Sequence, residues 1–201
     1  MASCMAAILL AAGQSRRMGT CKQLLPLEGL TIIARSLEML LAGGIGELIV
    51  VIGPDGDEVA RAAQDYPVRI VRSPDPRGDM ATSVRTGRDL LSPTAPAAVI
   101  ALCDHPLVTA ATIARLVEAH RRNPHAIIIP CHNGRRGHPP LFPRHLLDDL
   151  VAPLTLRDLL RSNPEQIEFL ESDDAGVLID MDTPEDYRRI VDLLKAGSDM
   201  K

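Results

Sequence analysis

Apolar runs of strand length recur along the chain, with helical patterns between them. Residues 6–11, 47–52, 68–72, 97–102 and 126–130 read as strands, as in ELIVVI at 47–52 and AAVIAL at 97–102. Such near-continuous apolar runs mark strands buried on both faces, the habit of parallel sheets. Residues 30–42, 56–65, 80–91 and 109–122 read as helices, the last opening on a threonine with Leu, Val and Ala at helical spacing. The alternation predicts an α/β, mostly parallel, doubly wound Rossmann-like sheet with right-handed crossovers. After residue 131 the pattern loosens: CHNGRRGHPPLFP carries glycines and prolines that predict a loop or small β-hairpin excursion. Short helices near 143–150 and 155–162 should follow, then strands IEFLE (167–171) and GVLIDM (176–181), and a terminal helix over 184–195. Pro184 and the acids after it suit a helix first turn, and Thr183 suits its N-cap. No repeat or linker divides the chain, so residues 1–201 are expected to form a single domain.

Composition narrows the function. The chain has no Trp, two Tyr and two Phe, so its core must be aliphatic, and it lacks the aromatic platforms used to bind single-stranded nucleic acid. A net charge of −4 gives no general attraction to nucleic acid or to an anionic membrane. The four cysteines are scattered with no CxxC pair, which argues against a zinc site. The first apolar run, about nine residues with no basic residue before it, suits neither a signal peptide nor a membrane span. A cytoplasmic protein with free thiols is the expectation.

The first strand leads into unusual chemistry. In AILLAAGQSRRMGTCKQLLP, residues 7–26, an apolar run breaks at Gly13 and collects Arg16, Arg17 and Lys22. Doubly wound sheets bind ligands at the carboxyl ends of their strands, and a turn of backbone N–H groups backed by Arg and Lys suits phosphates. A P-loop is excluded, because Gly13 and Gly19 are one residue too far apart and no Lys follows Gly19. The GxGxxG dinucleotide fingerprint is also missing. On composition alone, a triphosphate site and a solvated basic loop remain equally open. Two acidic segments accompany it. Asp104 in ALCDHPLV follows an apolar strand, where it could hold Mg²⁺ or cap the helix near 109. In LIDMDTPEDY, Asp180 and Asp182 alternate along an extended segment, so only one can face a site directly.

LLAAGQSRRMGTCKQLLPLEG resembles the signature LAAGxSxRMGxxKxLLPxxG of the nucleotidyltransferases related to the molybdenum cofactor guanylyl- and cytidylyltransferases. Gly13, Ser15, Arg17, Met18, Gly19, Lys22 and Pro26 all match, and Ala12, where the guanylyltransferase branch carries glycine, resembles the cytidylyltransferase branch. The resemblance covers nearly the whole chain. It implies a nucleotide-binding half over about 1–108 and an acceptor-binding half over about 109–201. It implies that Ala11, Ala12, Gly13 and Ser15 wrap the nucleotide, with Arg17 and Lys22 on its phosphates. It also implies that Asp104 and Asp182 hold Mg²⁺ (or Mn²⁺), with Asp180 in reserve. RSPDPRGDMATSVRTG resembles the segment that brings Gly78 and Ser83 to the base, and GRRGHPPLF the segment in which Arg135, Arg136 and His138 face the acceptor. Cys103 and His105 depart from the family pattern around Asp104. The implied reaction is transfer from an NTP, CTP favoured, to a phosphorylated acceptor, molybdopterin favoured. Use of GTP, another phosphorylated acceptor, or a non-catalytic carrier role toward a molybdenum hydroxylase stand as alternatives.

Overall fold

A computed structural model describes residues 4–74 and 79–198. Strand β1 (Ala6–Ala11) lies at the centre, parallel to β4 (Glu47–Ile52) on one side and β6 (Ala97–Leu102) on the other. Beyond β4 runs β5 (Arg69–Arg72), also parallel. Beyond β6 the order continues through β9 (Leu141–Pro143) to β7 (Ile127–His132) and β10 (Ile167–Glu171), with β8 (Arg135–Arg136) paired to the end of β7. Only β8 and β9 run antiparallel in this sheet; β10 and β7 are parallel. A two-stranded hairpin of β2 (Pro26–Leu27) and β3 (Leu30–Thr31) stands apart.

The period-2 alternation of β1 divides the core in two. Ala7, Leu9 and Ala11 join Ile32 and Leu37 of α1 (Ile32–Ala42), Val59 of α2 (Asp57–Ala63), Ile113 of α4 (Ala110–Arg122) and Ile190 of α7 (Pro184–Ser198). Ala6 and Ile8 face the other layer, with Val84 of α3 (Met80–Arg88), Leu146 of α5 (Arg144–Asp148) and Leu159 of α6 (Leu156–Ser162). Helix α3 approaches the sheet closely because Gly87 has no side chain: a Cβ there would come within 2.5 Å of Ile8 Cγ2. The sequence-predicted helices are thus all present, with shorter spans, except the terminal helix, which is longer. No helix of the described residues is long and apolar enough to cross a membrane.

One predicted strand is absent. Residues 176–181 do not join the sheet; Ala175–Leu178 form a short 3-10 helix, and the chain then crosses the carboxyl ends of the strands. The cause is Asp174. Its carboxylate accepts from the backbone N–H and hydroxyl of Thr109 (2.9 and 2.8 Å), the Thr112 hydroxyl (2.6 Å) and Gly176 N–H (2.9 Å). This latches the segment to the start of α4. Val177 is still fully buried, so the apolar pattern reported burial and not strand pairing.

Candidate active site

Strands β1, β4 and β6 end side by side, and the segments after them converge. After β1 the chain turns through Ser15, held in the left-handed region at φ 49°. Ser15 O accepts from the N–H groups of Met18 (3.0 Å) and Gly19 (3.1 Å), and Ser15 Oγ accepts from Lys22 N–H at 3.1 Å. The buried amide of Gln23 donates to Ala11 O and Gly13 O, each at 3.0 Å, and accepts from Ser15 Oγ at 3.3 Å and Cys21 Sγ at 3.2 Å. One cavity of about 580 Å³ is bounded by Ala11 to Gly13, Cys21, Gln23 and the Gly53–Gly56 turn after β4. A second, of about 280 Å³, lies among Gly13–Arg17, Lys22 and Asp182.

Lys22 is the hub of the charged groups. Its side chain is 10% exposed, and Nζ donates to Asp104 Oδ2 (2.7 Å), Asp182 Oδ1 (2.9 Å) and Met181 O (3.3 Å). Arg17 closes the other oxygen of Asp182 at 2.5 Å. Burial alone would push the Lys22 ammonium toward neutrality, but Asp104 and Asp182 outweigh it, so its pKa lies above the ordinary lysine value. The hydrogen bond from Lys22 holds the Asp182 carboxyl below its usual range against the opposing effect of burial, aided by the charges of Lys22 and Arg17. The alternative that Asp104 caps the helix is removed, because Thr109 caps α4 with its own hydroxyl. Asp104 instead anchors the crossing segment: its backbone O accepts from Met181 N–H at 2.8 Å, which delivers Asp182 to Lys22.

The carboxylates fit a hard divalent cation. Asp104 Oδ1 is buried with no protein partner, and Asp104 and Asp182 converge on one point of positive charge. Magnesium asks for one or two protein carboxylates and takes its remaining ligands from phosphate and water. Among the described residues no group of three or more His, Cys, Asp or Glu side chains could hold a metal ion by itself.

The other predicted residues are distributed around this cluster. Ser83 is buried and hydrogen-bonded to Ser73 Oγ at 3.3 Å; Gly78 lies outside the described residues. Asp180 turns away from Lys22 and lines a cavity of about 320 Å³ with Arg135 and Arg189. Arg136, its neighbour on β8, is stacked on Phe169 at 4.6 Å. His138 stands against His105, ring centroids 4.9 Å apart, with Nδ1 of both rings buried and unpartnered. Burial first, and His105 second, lower the His138 pKa to about 4, so the ring is neutral near pH 7. His138 therefore offers a hydrogen-bonding edge and not a positive charge. Sequence reasoning gave no role to Gln23, His105 or Arg189. For Gln23 the available signal was one amide in an otherwise apolar run after Lys22.

The family description MobA-like NTP transferase domain matches residues 7–167. The chain belongs to this family. It is 30% identical to a nicotine blue oxidoreductase of Paenarthrobacter nicotinovorans, over 94% of this chain and 97% of that protein. It is 29% identical to the molybdenum cofactor cytidylyltransferase of Escherichia coli K12, over 90% and 92%. Among solved structures, Rv0371c of Mycobacterium tuberculosis H37Rv superposes with a TM-score of 0.82 at 28% identity, covering 96% of this chain and all of that one. The same protein is known in complex with manganese, with a TM-score of 0.78. A nucleotidyl transferase from Methanothermobacter gives 0.81 at 27% identity, covering 96% and 99%. This MobA-like chain is accordingly a nucleotidyltransferase with the fold of its structural neighbours.

Proposed function

We propose that this MobA-like nucleotidyltransferase transfers the cytidylyl group of CTP to the terminal phosphate of molybdopterin, forming the cytosine dinucleotide and pyrophosphate. The observation that carries the reading is the Lys22 ammonium clamped between Asp104 and Asp182 at the ends of the central strands, with Arg17 beside it. A phosphate oxygen of the acceptor attacks the α-phosphorus. The bond to the bridging oxygen breaks, pyrophosphate leaves with that electron pair, and a phosphoanhydride forms. No covalent enzyme intermediate is required, so positioning and charge neutralisation carry the rate. Lys22 and Arg17 offset charge on the α-phosphate and on the departing pyrophosphate. Asp104 and Asp182 would hold Mg²⁺ or Mn²⁺, which would supply charge neutralisation; the manganese complex of Rv0371c supports use of a divalent metal. Ala11, Ala12, Gly13 and Ser15 border the nucleotide, with Ser83 toward the base. The acceptor lies beyond Asp182, toward His138, Asp180 and Arg135. There a neutral imidazole, a carboxylate and a guanidinium with no salt bridge among the described residues suit a heterocycle with both donors and acceptors.

CTP is supported by Ala12 and by the likeness to the Escherichia coli cytidylyltransferase. The likeness to nicotine blue oxidoreductase favours a second reading, an oxidoreductase acting on nicotine blue. The Lys22–Asp104–Asp182 clamp speaks for phosphoryl chemistry. The deciding experiment supplies Mg²⁺, molybdenum cofactor freshly released from a molybdoenzyme, and each NTP in turn, and follows pyrophosphate. Release with CTP alone is expected. Release with GTP alone moves the base assignment. No release with any nucleotide, together with oxidation of a nicotinamide reductant by nicotine blue, sinks the proposal in favour of the second reading.

A further inference from the structure

Gln23 is 2% exposed, yet its side chain is polar. A glutamine amide has two N–H donors and a carbonyl with two lone pairs. Here all four are used: two donors on Ala11 O and Gly13 O, and two acceptances, from the Ser15 hydroxyl and the Cys21 thiol. The amide orientation is fixed by chemistry, since the two backbone carbonyls can only accept. These bonds join both ends of the turn after β1. Ser15 Oγ, which donates to Gln23, also receives the Lys22 backbone N–H, so one chain of hydrogen bonds runs from the end of β1 to the residue carrying the ammonium.

Ala11 O and Gly13 O are both bound to the Gln23 amide. Gln23 borders the 580 Å³ cavity and not the 280 Å³ cavity formed by Gly13–Arg17, Lys22 and Asp182. A carbonyl facing that cavity would repel a polyphosphate, whereas an N–H attracts one. We infer that Gln23 is a positioning residue: it holds the Ala11 and Gly13 carbonyls away from the triphosphate of the nucleotide and, through Ser15, sets the backbone of Lys22. The inference rests on the nucleotidyl-transfer reading for the identity of its ligand. It explains how this chain makes an anion-binding turn without a P-loop: a buried amide does what a run of glycines does elsewhere.

The test compares the wild-type protein with Gln23→Met, which keeps the volume and loses every hydrogen bond. It adds Gln23→Glu, which keeps an acceptor for Ser15 but places oxygen against two carbonyls. Gln23→Asn is the mildest variant, for use if Met disrupts folding. Two probes are titrated calorimetrically, CTP with Mg²⁺ and inorganic tripolyphosphate. In parallel, the rate of Cys21 alkylation is followed by peptide mass spectrometry, because Cys21 is half-buried against Gln23. Affinity for both probes should fall by about tenfold or more, as when an orienting partner is removed. Glu should be worse than Met, and Cys21 should alkylate faster in each variant without ligand. In turnover, the KM for the nucleotide should rise while the KM for the acceptor stays as in the wild type, a split that general loosening of the fold would not give. Variants that bind both probes like the wild type, or unchanged Cys21 rates, overturn the inference. Wild-type protein that binds neither probe overturns the nucleotidyl-transfer reading instead; the alkylation rates then still decide whether Gln23 holds the turn, and unchanged rates overturn that too.

Discussion

Replacing Lys22 with methionine removes the one ammonium between Asp104 and Asp182 and keeps most of the packing. The two carboxylates are then left facing each other, each about a quarter exposed, at 25% and 27%. Breaking a fully buried pair by deleting one partner costs about 3–5 kcal/mol, whereas exposed pairs are worth about 0–1 kcal/mol. The intermediate exposure of the acids, with Lys22 itself only 10% exposed, puts the expected loss at about 2–3 kcal/mol. For a domain of this size that corresponds to a fall in Tm of about 5–10 °C. The pH dependence has a definite sign. Asp182 is held below its ordinary pKa, so its contribution is complete above about pH 4 and is lost as pH falls through its folded value. Lys22 is held above its ordinary pKa, so its contribution is complete below about pH 10 and is lost as pH rises through its folded value. In Lys22→Met both slopes should flatten. Mg²⁺ should also raise the Tm of this variant more than that of the wild type, because two carboxylates have lost their cation. Turnover should drop by about 100- to 1,000-fold, the range for removing one preorganised charge-stabilising group. Thermal unfolding carried below about pH 4 and above about pH 10, and with and without Mg²⁺ near neutral pH, reads the first effects and pyrophosphate release the last. A variant as stable as the wild type, with the same pH profile and the same response to Mg²⁺, refutes the clamp.

Asp104→Asn should abolish pyrophosphate release while leaving the chain folded; a variant that retains wild-type release removes Asp104 from the reaction. Asp174→Ala deletes a carboxylate that accepts four hydrogen bonds from Thr109, Thr112 and Gly176. It should cost about 2–4 kcal/mol in urea unfolding and reduce turnover, because the segment carrying Asp182 comes loose. Wild-type stability in this variant would remove the latch. Gly87→Leu drives a side chain into Ile8 and Val51 and should destabilise by about 3 kcal/mol or more, or prevent folding. Exposed Gly134 at φ 71° should also resist substitution, but only by about 1 kcal/mol, because nothing lies within 4 Å of its missing Cβ.

The sequence announced the parts of the molecule whose burial and local pattern agree. β1, β4 and β6 have the expected bounds, since each run is apolar but for Glu47 at the start of β4 and is largely buried on both faces. It misread 176–181, because a fully buried Val177 looks the same in a strand and in a 3-10 turn; the Asp174 latch that decides between them joins positions 65 apart in sequence. It gave a loop or hairpin excursion over 131–143 but not the insertion of β9 between β6 and β7, which short pairing among prolines does not announce. At the site, Asp182 meets Lys22 while Asp180 lines a separate cavity, and alternation along an extended segment leaves room for only one of them to face Lys22. The neutral state of His138 was not legible, since it depends on burial and on His105, which is 33 positions away in the chain.

The family description covers residues 7–167, whereas the relatives match 90–94% of the chain. The matched region, residues 7–167, contains Arg17, Lys22 and Asp104, but not Asp182. The second carboxylate reaches the site through contacts made by the last part of the chain: Asp174 on the start of α4, Val177 O accepting from His138 N–H at 2.8 Å, and Met181 N–H on Asp104 O. Asp180 and Arg189, which line the cavity beyond Asp182, belong to the same terminal stretch. On the proposed reading, the matched region supplies Arg17, Lys22 and Asp104 and the acceptor-side Arg135 and His138, and the crossing segment completes both sides with Asp182 and Asp180. Relatives that share the first part can then differ in substrate while keeping the fold. This is the arrangement expected when a rigid sheet fixes the reacting groups and a latched connection, which can change without disturbing the core, borders the variable partner.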